Sequence, residues 1–306
     1  MKPAKTPYMT KLTDQELLEE LKKRFDENLK TIQELRVLTE ELKVVNKKLE
    51  ESEALKSHFI SNITNEIINP FTSILGLSKT ILAVKKEDWK KVISMVSMIH
   101  SEAFNLDFQL RNIFVAAKIE AGEVVPEILN VELKPMIKNV IDSFRIEGKK
   151  KNLKFEYLFE CQPNDGSKFN FKTDPEKVKL IMANLLSNAI KFSYENGIIE
   201  VKIWNEGPIA KFMVRDFGTG ISESNQQIIF DRFKRLDSGI NSLNRGHGLG
   251  LSINKALIDM LDGKIEINSG VNQGASFLMS LPEQKGEIEG FSSDGNEFLF
   301  DEQDVF

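Results

Sequence analysis

The segment NLLSNAIKF, Asn184–Phe192, decides the fold together with two short stretches downstream. Val178, Ile181, Leu185 and Ala189 recur at helical spacing, so the polar face of the helix carries Asn184, Asn188 and Lys191. Asn188 offers a side-chain oxygen suited to a hard cation, and Lys191 a point charge suited to phosphate. DFGTGI, Asp216–Ile221, follows an apolar strand predicted over Phe212–Val214. Asp216 can accept a hydrogen bond from an exocyclic amine, and Gly218 and Gly220 let backbone approach a ligand closely. GHGLGLS, Gly246–Ser252, is glycine-rich and opens a helix predicted over Leu251–Leu261. Free N–H groups at such a helix start suit a polyphosphate. Taken singly, the glycines read equally well as turns and the asparagines as caps. Three motifs in this order and at these separations are a specific signal.

The ordered set resembles the ATP-binding domain of sensor histidine kinases, within the superfamily that includes the gyrase-type and MutL-type ATPases. The resemblance implies that Asn188 holds Mg²⁺, Lys191 meets phosphate and Asp216 reads adenine. It also implies that the loop Gly246, His247, Gly248, Leu249 and Gly250 wraps the phosphates. Asn184, Phe192, Gly218, Gly220 and Ile221 belong to the same nucleotide-binding motifs. IFDRFKR, Ile229–Arg235, looks like the family's phenylalanine motif, with Arg235 where that family keeps an arginine facing the γ-phosphate.

A chain of 306 residues allows about two domains. The net charge of −5 argues against nucleic acid or an anionic membrane surface as the main partner. Cys161 is the single cysteine, so no intramolecular disulfide can form, and a reducing cytoplasm fits. The opening MKPAKTPYMTKLTDQE lacks the apolar core of a signal peptide. No stretch approaches the roughly 20 apolar residues of a membrane span. The expectation is a cytoplasmic protein whose signal arrives through the cytoplasm or a partner.

From Leu12 to Ser57 the sequence is rich in Leu, Glu and Lys, with no Gly or Pro. Leu35, Leu42 and Leu49 step by seven, with Leu38 and Val45 between them; Leu18, Leu21, Phe25 and Ile32 carry the seam upstream. Such a seam predicts a parallel coiled coil, the other reading being a single solvated helix. Thr13-Asp14-Gln15-Glu16 marks its start. The seam runs on through Phe59 and Ile63 into SNITNEIINPFTSILGLSKTIL. A second helix, carrying Val92, Val96, Ile99, Ala103, Leu106, Leu110, Ile113 and Ala117, ends at Ala121-Gly122-Glu123 and Pro126. Two antiparallel helices of this kind cannot bury their faces alone, whereas two copies make a four-helix bundle. Beyond Val131 strands and helices mix, which predicts helices on one face of a mixed sheet. After Pro282 the chain is acidic, with Phe291, Phe298, Phe300 and Phe306 between carboxylates: a disordered tail, or a segment that docks on a partner.

NEIINP resembles the histidine kinase dimerisation box, in which a phosphoacceptor histidine precedes an acid, two variable residues, Thr or Asn, and Pro. With Pro70 on the motif's proline, Asn69 takes the Thr/Asn place, Glu66 the acid and Asn65 the histidine. Phosphoryl transfer to imidazole needs a ring-nitrogen lone pair in line with the γ-phosphate. A carboxamide nitrogen delocalises its lone pair into the carbonyl, so Asn65 is not expected to accept phosphate. Glu66 then reads either as an acid without its base or as a solvated carboxylate. His58 lies on roughly the same helix face, but its context KSHFIS lacks the acid and amide. His100 reads as an ordinary helix residue. In this family Thr or Asn at the place of Asn69 is associated with removing phosphate from a response regulator; its other reading is a polar residue before Pro70.

The expected fold is α plus α/β. A coiled coil over 1–51 leads to a dimerising helical hairpin over 52–125. A Bergerat-type α/β sandwich over 126–283 and an acidic tail over 284–306 follow. The resemblance implies ATP and Mg²⁺ as cofactors, a homodimer, and a receiver domain or partner histidine kinase as the other partner. Two function classes stay open: an enzyme acting in trans or as a phosphatase, and a nucleotide-gated scaffold that controls a true kinase.

Overall fold

The computed structural model describes residues 13–84, 88–161, 169–230 and 248–284. The chain divides into two units, Met1–His58 and Phe59–Phe306. The helix α1 (Asp14–Leu82) begins in the first. Its start is a reciprocal capping box: Glu16 Oε2 accepts the Thr13 N–H at 2.8 Å, and the Glu16 N–H points back to Thr13 Oγ1 at 3.5 Å. The Thr13 backbone hydrogen bond holds the Glu16 carboxyl below its usual range. Along this unit the predicted seam is uncovered: Leu18 is 69% exposed and Phe25 65%.

In the second unit, α2 (Trp89–Ala121) stops at Gly122, whose left-handed φ of 68° lets Gly122 N–H reach Ile119 O and Glu123 N–H reach Lys118 O. The next elements are β1 (Leu129–Glu132), α3 (Leu133–Ser143), α4 (Arg145–Lys150), β2 (Lys154–Glu160) and β3 (Asn170–Thr173). After them come α5 (Pro175–Phe192), β4 (Ile198–Glu206), β5 (Ile209–Asp216), α6 (Glu223–Gln226), α7 (Gly250–Met260), β6 (Lys264–Ser269) and β7 (Ala275–Pro282). Five strands form one sheet in the order β2-β4-β5-β7-β6, parallel between β2 and β4 and antiparallel elsewhere. The predicted mixed sheet is therefore present. β1 and β3 pair as a separate antiparallel ribbon.

Alternation along the central strands separates two faces. Ile199, Val201 and Ile203 on β4, Phe212 and Val214 on β5, and Phe277 and Met279 on β7 are buried under α3, α5 and α7. Val178, Ile181, Leu185 and Ala189, whose spacing announced a helix, are all buried on α5. The core reaches into α2. The rings of Phe104 and Phe108 stand edge-on to Phe144 at 5.2 and 5.8 Å, and Ser101 Oγ donates to Glu147 Oε1 at 2.6 Å. No helix among the described residues is long and apolar enough to cross a membrane.

Candidate nucleotide site

Asp174 sets where α5 begins. Its Oδ1 accepts the Lys177 N–H at 3.0 Å, and Pro175 fills the first turn. Its Oδ2 accepts the Glu127 N–H at 2.7 Å and meets the Lys177 ammonium, which also donates to Val125 O at 3.0 Å. The start of α5 is thereby pinned to the chain leaving α2.

The distal half of α5 carries the first motif. Asn184 is buried, and its Nδ2 donates to Asn254 Oδ1 at 2.8 Å and more weakly to Gly250 O at 3.4 Å. Asn254 Nδ2 returns a bond to Ile181 O at 3.2 Å. This carboxamide pair fixes the beginning of α7 against α5. Asn188 follows one turn later, half-buried, and its carboxamide has no hydrogen-bond partner among the described residues. The Lys191 ammonium lies 5.1 Å from the centroid of the Phe192 ring.

β5 delivers Asp216, which is 5% exposed. Its Oδ1 accepts the Gly218 N–H at 2.9 Å. Burial raises the Asp216 pKa above its ordinary value, opposed by backbone hydrogen bonds from Gly218 and Ala275. A Cβ on Gly218 would lie 1.9 Å from Phe192 O, and the same oxygen accepts the Thr219 N–H at 3.2 Å. The first two motifs thus meet at one carbonyl. Gly220, at φ +64°, passes just as closely over Gly270 O.

Gly248 and the buried Leu249 lead into α7, whose start at Gly250 no side chain among the described residues caps. The first N–H groups of that 11-residue helix have no partner within it and suit an anion. They stand beside Asn184, since a Cβ on Gly250 would touch its side chain at 3.3 Å. One site therefore combines a buried carboxylate, a carboxamide without a partner among the described residues, a lysine and a helix N-terminus.

Residues 173–285 match the histidine kinase-, DNA gyrase B- and HSP90-like ATPase family. Over 237 residues the chain is 30% identical to the circadian input-output histidine kinase CikA of Synechococcus elongatus, covering 76% of this chain and 30% of that protein. The chain belongs to the sensor histidine kinase family. It is also 29% identical over 256 residues to the autoinducer 2 sensor kinase/phosphatase LuxQ of Vibrio vulnificus, covering 80% of this chain and 29% of LuxQ. It thus spans less than a third of either relative's length. In fold it resembles full-length ShkA in complex with AMPPNP, with a TM-score of 0.52 at 19% identity, covering 76% of this chain and 46% of ShkA.

Within this histidine-kinase-type domain, Arg235, Gly246 and His247 lie outside the described residues. Asn65 and Glu66 fall on α1, and their side chains, like that of His58, also lie outside the described residues. Asn69 is exposed beside the buried Pro70.

Several residues that shape the site carry no motif signal. Ser269 Oγ accepts the Ile221 N–H at 2.8 Å and donates to Gly274 O at 2.7 Å. The Asn272 N–H donates to Thr219 O at 2.7 Å, and the Gly274 N–H to Gly218 O at 3.1 Å. The β6–β7 turn therefore clamps DFGTGI from outside. Lys151 acts at the other end: its Nζ donates to Ile190 O, Lys191 O and Ser193 O at 3.0, 2.6 and 3.2 Å. The turn chemistry of Ser269–Gly274 is visible in sequence, but its target is not.

Proposed function

We propose that this chain binds Mg·ATP and acts in two-component signalling without phosphorylating itself at Asn65. The carrying observation is the contact of Phe192 with Gly218 and Thr219, which brings Asp216 to the α5 turn bearing Asn188 and Lys191. In this reading the Asp216 carboxylate accepts from the adenine amine, and Lys191 and the α7 start face the phosphates. Asn188 is fitted to hold Mg²⁺, because its carboxamide has no other hydrogen-bond partner among the described residues. No cluster of His, Cys, Asp or Glu suited to a metal occurs among those residues, so the ion would rest on the carboxamide and nucleotide oxygens. The AMPPNP bound to ShkA supports an ATP-like ligand.

The chain then acts on a partner kinase's histidine or removes phosphate from a response regulator through Asn69. The phosphatase named in LuxQ supports the second course. A second reading rests on Asn65 itself: a nucleotide-gated scaffold that heterodimerises with a true kinase. ATP labelled at its γ-phosphate, given to the protein alone and then with a receiver domain or a histidine kinase, separates the two. Label gained by, or lost from, the added protein supports the enzyme; Mg·ATP bound with no label moving supports the scaffold.

Asp216→Asn should weaken Mg·ATP binding by about 1–3 kcal/mol, the cost of a mispaired hydrogen bond in a buried site. Equal affinities by calorimetry would remove Asp216 from the adenine role. The pH dependence has a definite sign. With its folded pKa raised, Asp216 contributes stability that is present below the ordinary carboxylate value and lost as pH rises through the raised one. Affinity runs the other way, weakening on acidification from a pH above the ordinary carboxylate range.

The protein should also be a homodimer held by residues between Leu18 and Ala117, since Leu18, Leu42 and Val96 leave their seams uncovered in one chain. Light scattering at micromolar concentration checks the mass, and a monomer would refute the bundle. Removing residues before Ser52 should weaken the dimer and spare nucleotide binding.

A further inference from the structure

We infer that Lys151 is a positioning residue for the nucleotide site, locking the last turn of α5 and, through Phe192, the loop that follows Asp216. This rests on the proposed nucleotide site. The last carbonyls of a helix have no partner within it and collect negative charge. In α5 a single ammonium takes them: Ile190 O at 3.0 Å, Lys191 O at 2.6 Å and, past the helix end, Ser193 O at 3.2 Å. All three donors of Lys151 are therefore spent on one turn.

The anchor is itself held. Lys151 O accepts the Asn196 N–H at 2.8 Å, which ties the chain after α4 to the turn after α5. Burial lowers the Lys151 pKa, with Glu195 opposing, so the ammonium is partly desolvated where its bonds are strongest.

The turn so held is the functional one. Asn188 and Lys191 project from it, and Phe192 sits between the Ile190–Lys191 and Ser193 carbonyls that Lys151 grips. Phe192 O accepts the Thr219 N–H at 3.2 Å and presses on Gly218, which donates to Asp216. A sub-ångström drift of the α5 end would therefore move the phosphate side and the adenine side of the site together. Lys151 touches neither ligand end itself.

The test compares wild type with Lys151→Met, which keeps the length of the side chain and removes its donors, and Lys151→Arg, which restores donors. Hydrogen exchange is measured on the ligand-free full chain, and Mg·ATP affinity separately. Lys151→Met should speed exchange of the Ser193 and Thr219 amides by about tenfold or more while Phe212 and Val214 in the sheet stay protected. It should weaken Mg·ATP by about tenfold, and Lys151→Arg should recover most of both losses. If Lys151→Met does not fold, Lys151→Gln, uncharged but still a donor, takes its place, with intermediate effects expected. Unchanged exchange at Ser193 and Thr219 overturns the inference. Faster exchange at those amides with unchanged Mg·ATP affinity overturns the positioning role and leaves a merely structural lysine. If wild type binds no Mg·ATP, the nucleotide reading fails, and the exchange data alone still decide whether Lys151 locks the turn.

Discussion

Gly218→Ala is expected to abolish measurable Mg·ATP binding and to destabilise the fold by several kcal/mol. The added Cβ would lie 1.9 Å from Phe192 O, 2.6 Å from Phe192 C and 2.8 Å from Ser193 Cα. All three are backbone atoms, so no side chain can rotate away. Either the α5 end or the loop after β5 must retreat, and the Thr219 N–H to Phe192 O bond at 3.2 Å is lost with it. Overpacking of this kind costs about 1–3 kcal/mol where side chains can yield, and more where they cannot. The loop also holds Asp216 through the Gly218 N–H at 2.9 Å, so the proposed adenine contact is displaced in the same movement. Gly76→Ala is the control: a Cβ there meets nothing within 4 Å, and alanine favours helix by about 1 kcal/mol over glycine. Calorimetry that returned wild-type affinity for Gly218→Ala would show that the first two motifs do not meet as described.

How much of this was legible depends on how local each signal is. The α5 motif announced itself because burial on one helix face imposes a 3.6-residue period, and Val178, Ile181, Leu185 and Ala189 are indeed buried. The mixed sheet beyond Val131 was legible, and the predicted strand Phe212–Val214 falls on β5. β1 and β3 were not, for each has only four residues and their pairing joins Leu129 to Thr173 across the chain. Tertiary contacts stayed hidden for the same reason. Asn184 reads as a ligand-facing carboxamide, yet its Nδ2 is engaged by Asn254. Lys151 reads as one of three successive lysines, and only the fold shows that its ammonium ends on α5.

Asn65→His should convert the chain into one that labels itself. Alone with Mg·ATP, wild type should accumulate no acid-labile, base-stable phosphate, and the variant should accumulate it readily. In sequence the acid Glu66 already follows the position, Asn69 and Pro70 complete the box, and in the proposed homodimer the α1 seam would bring in the second copy a bundle needs. On the proposed nucleotide side, Lys191 and the start of α7 would face the phosphates. What is absent is a nucleophile: a carboxamide nitrogen has no free lone pair, whereas imidazole, with an ordinary pKa of about 6.5, offers one at neutral pH. Since in-line attack depends on that lone pair, the gain should be all or nothing rather than graded. Label on the variant would identify Asn65 as the block and show that the nucleotide domain still reaches the box. Absence of label, with Mg·ATP still bound, would move the chain to the scaffold reading, since restoring the nucleophile would then not restore transfer. Label on the wild type would be the most damaging result, because the acceptor would have to be His58, His100 or His247, and the register that places Asn65 at the histidine would be wrong.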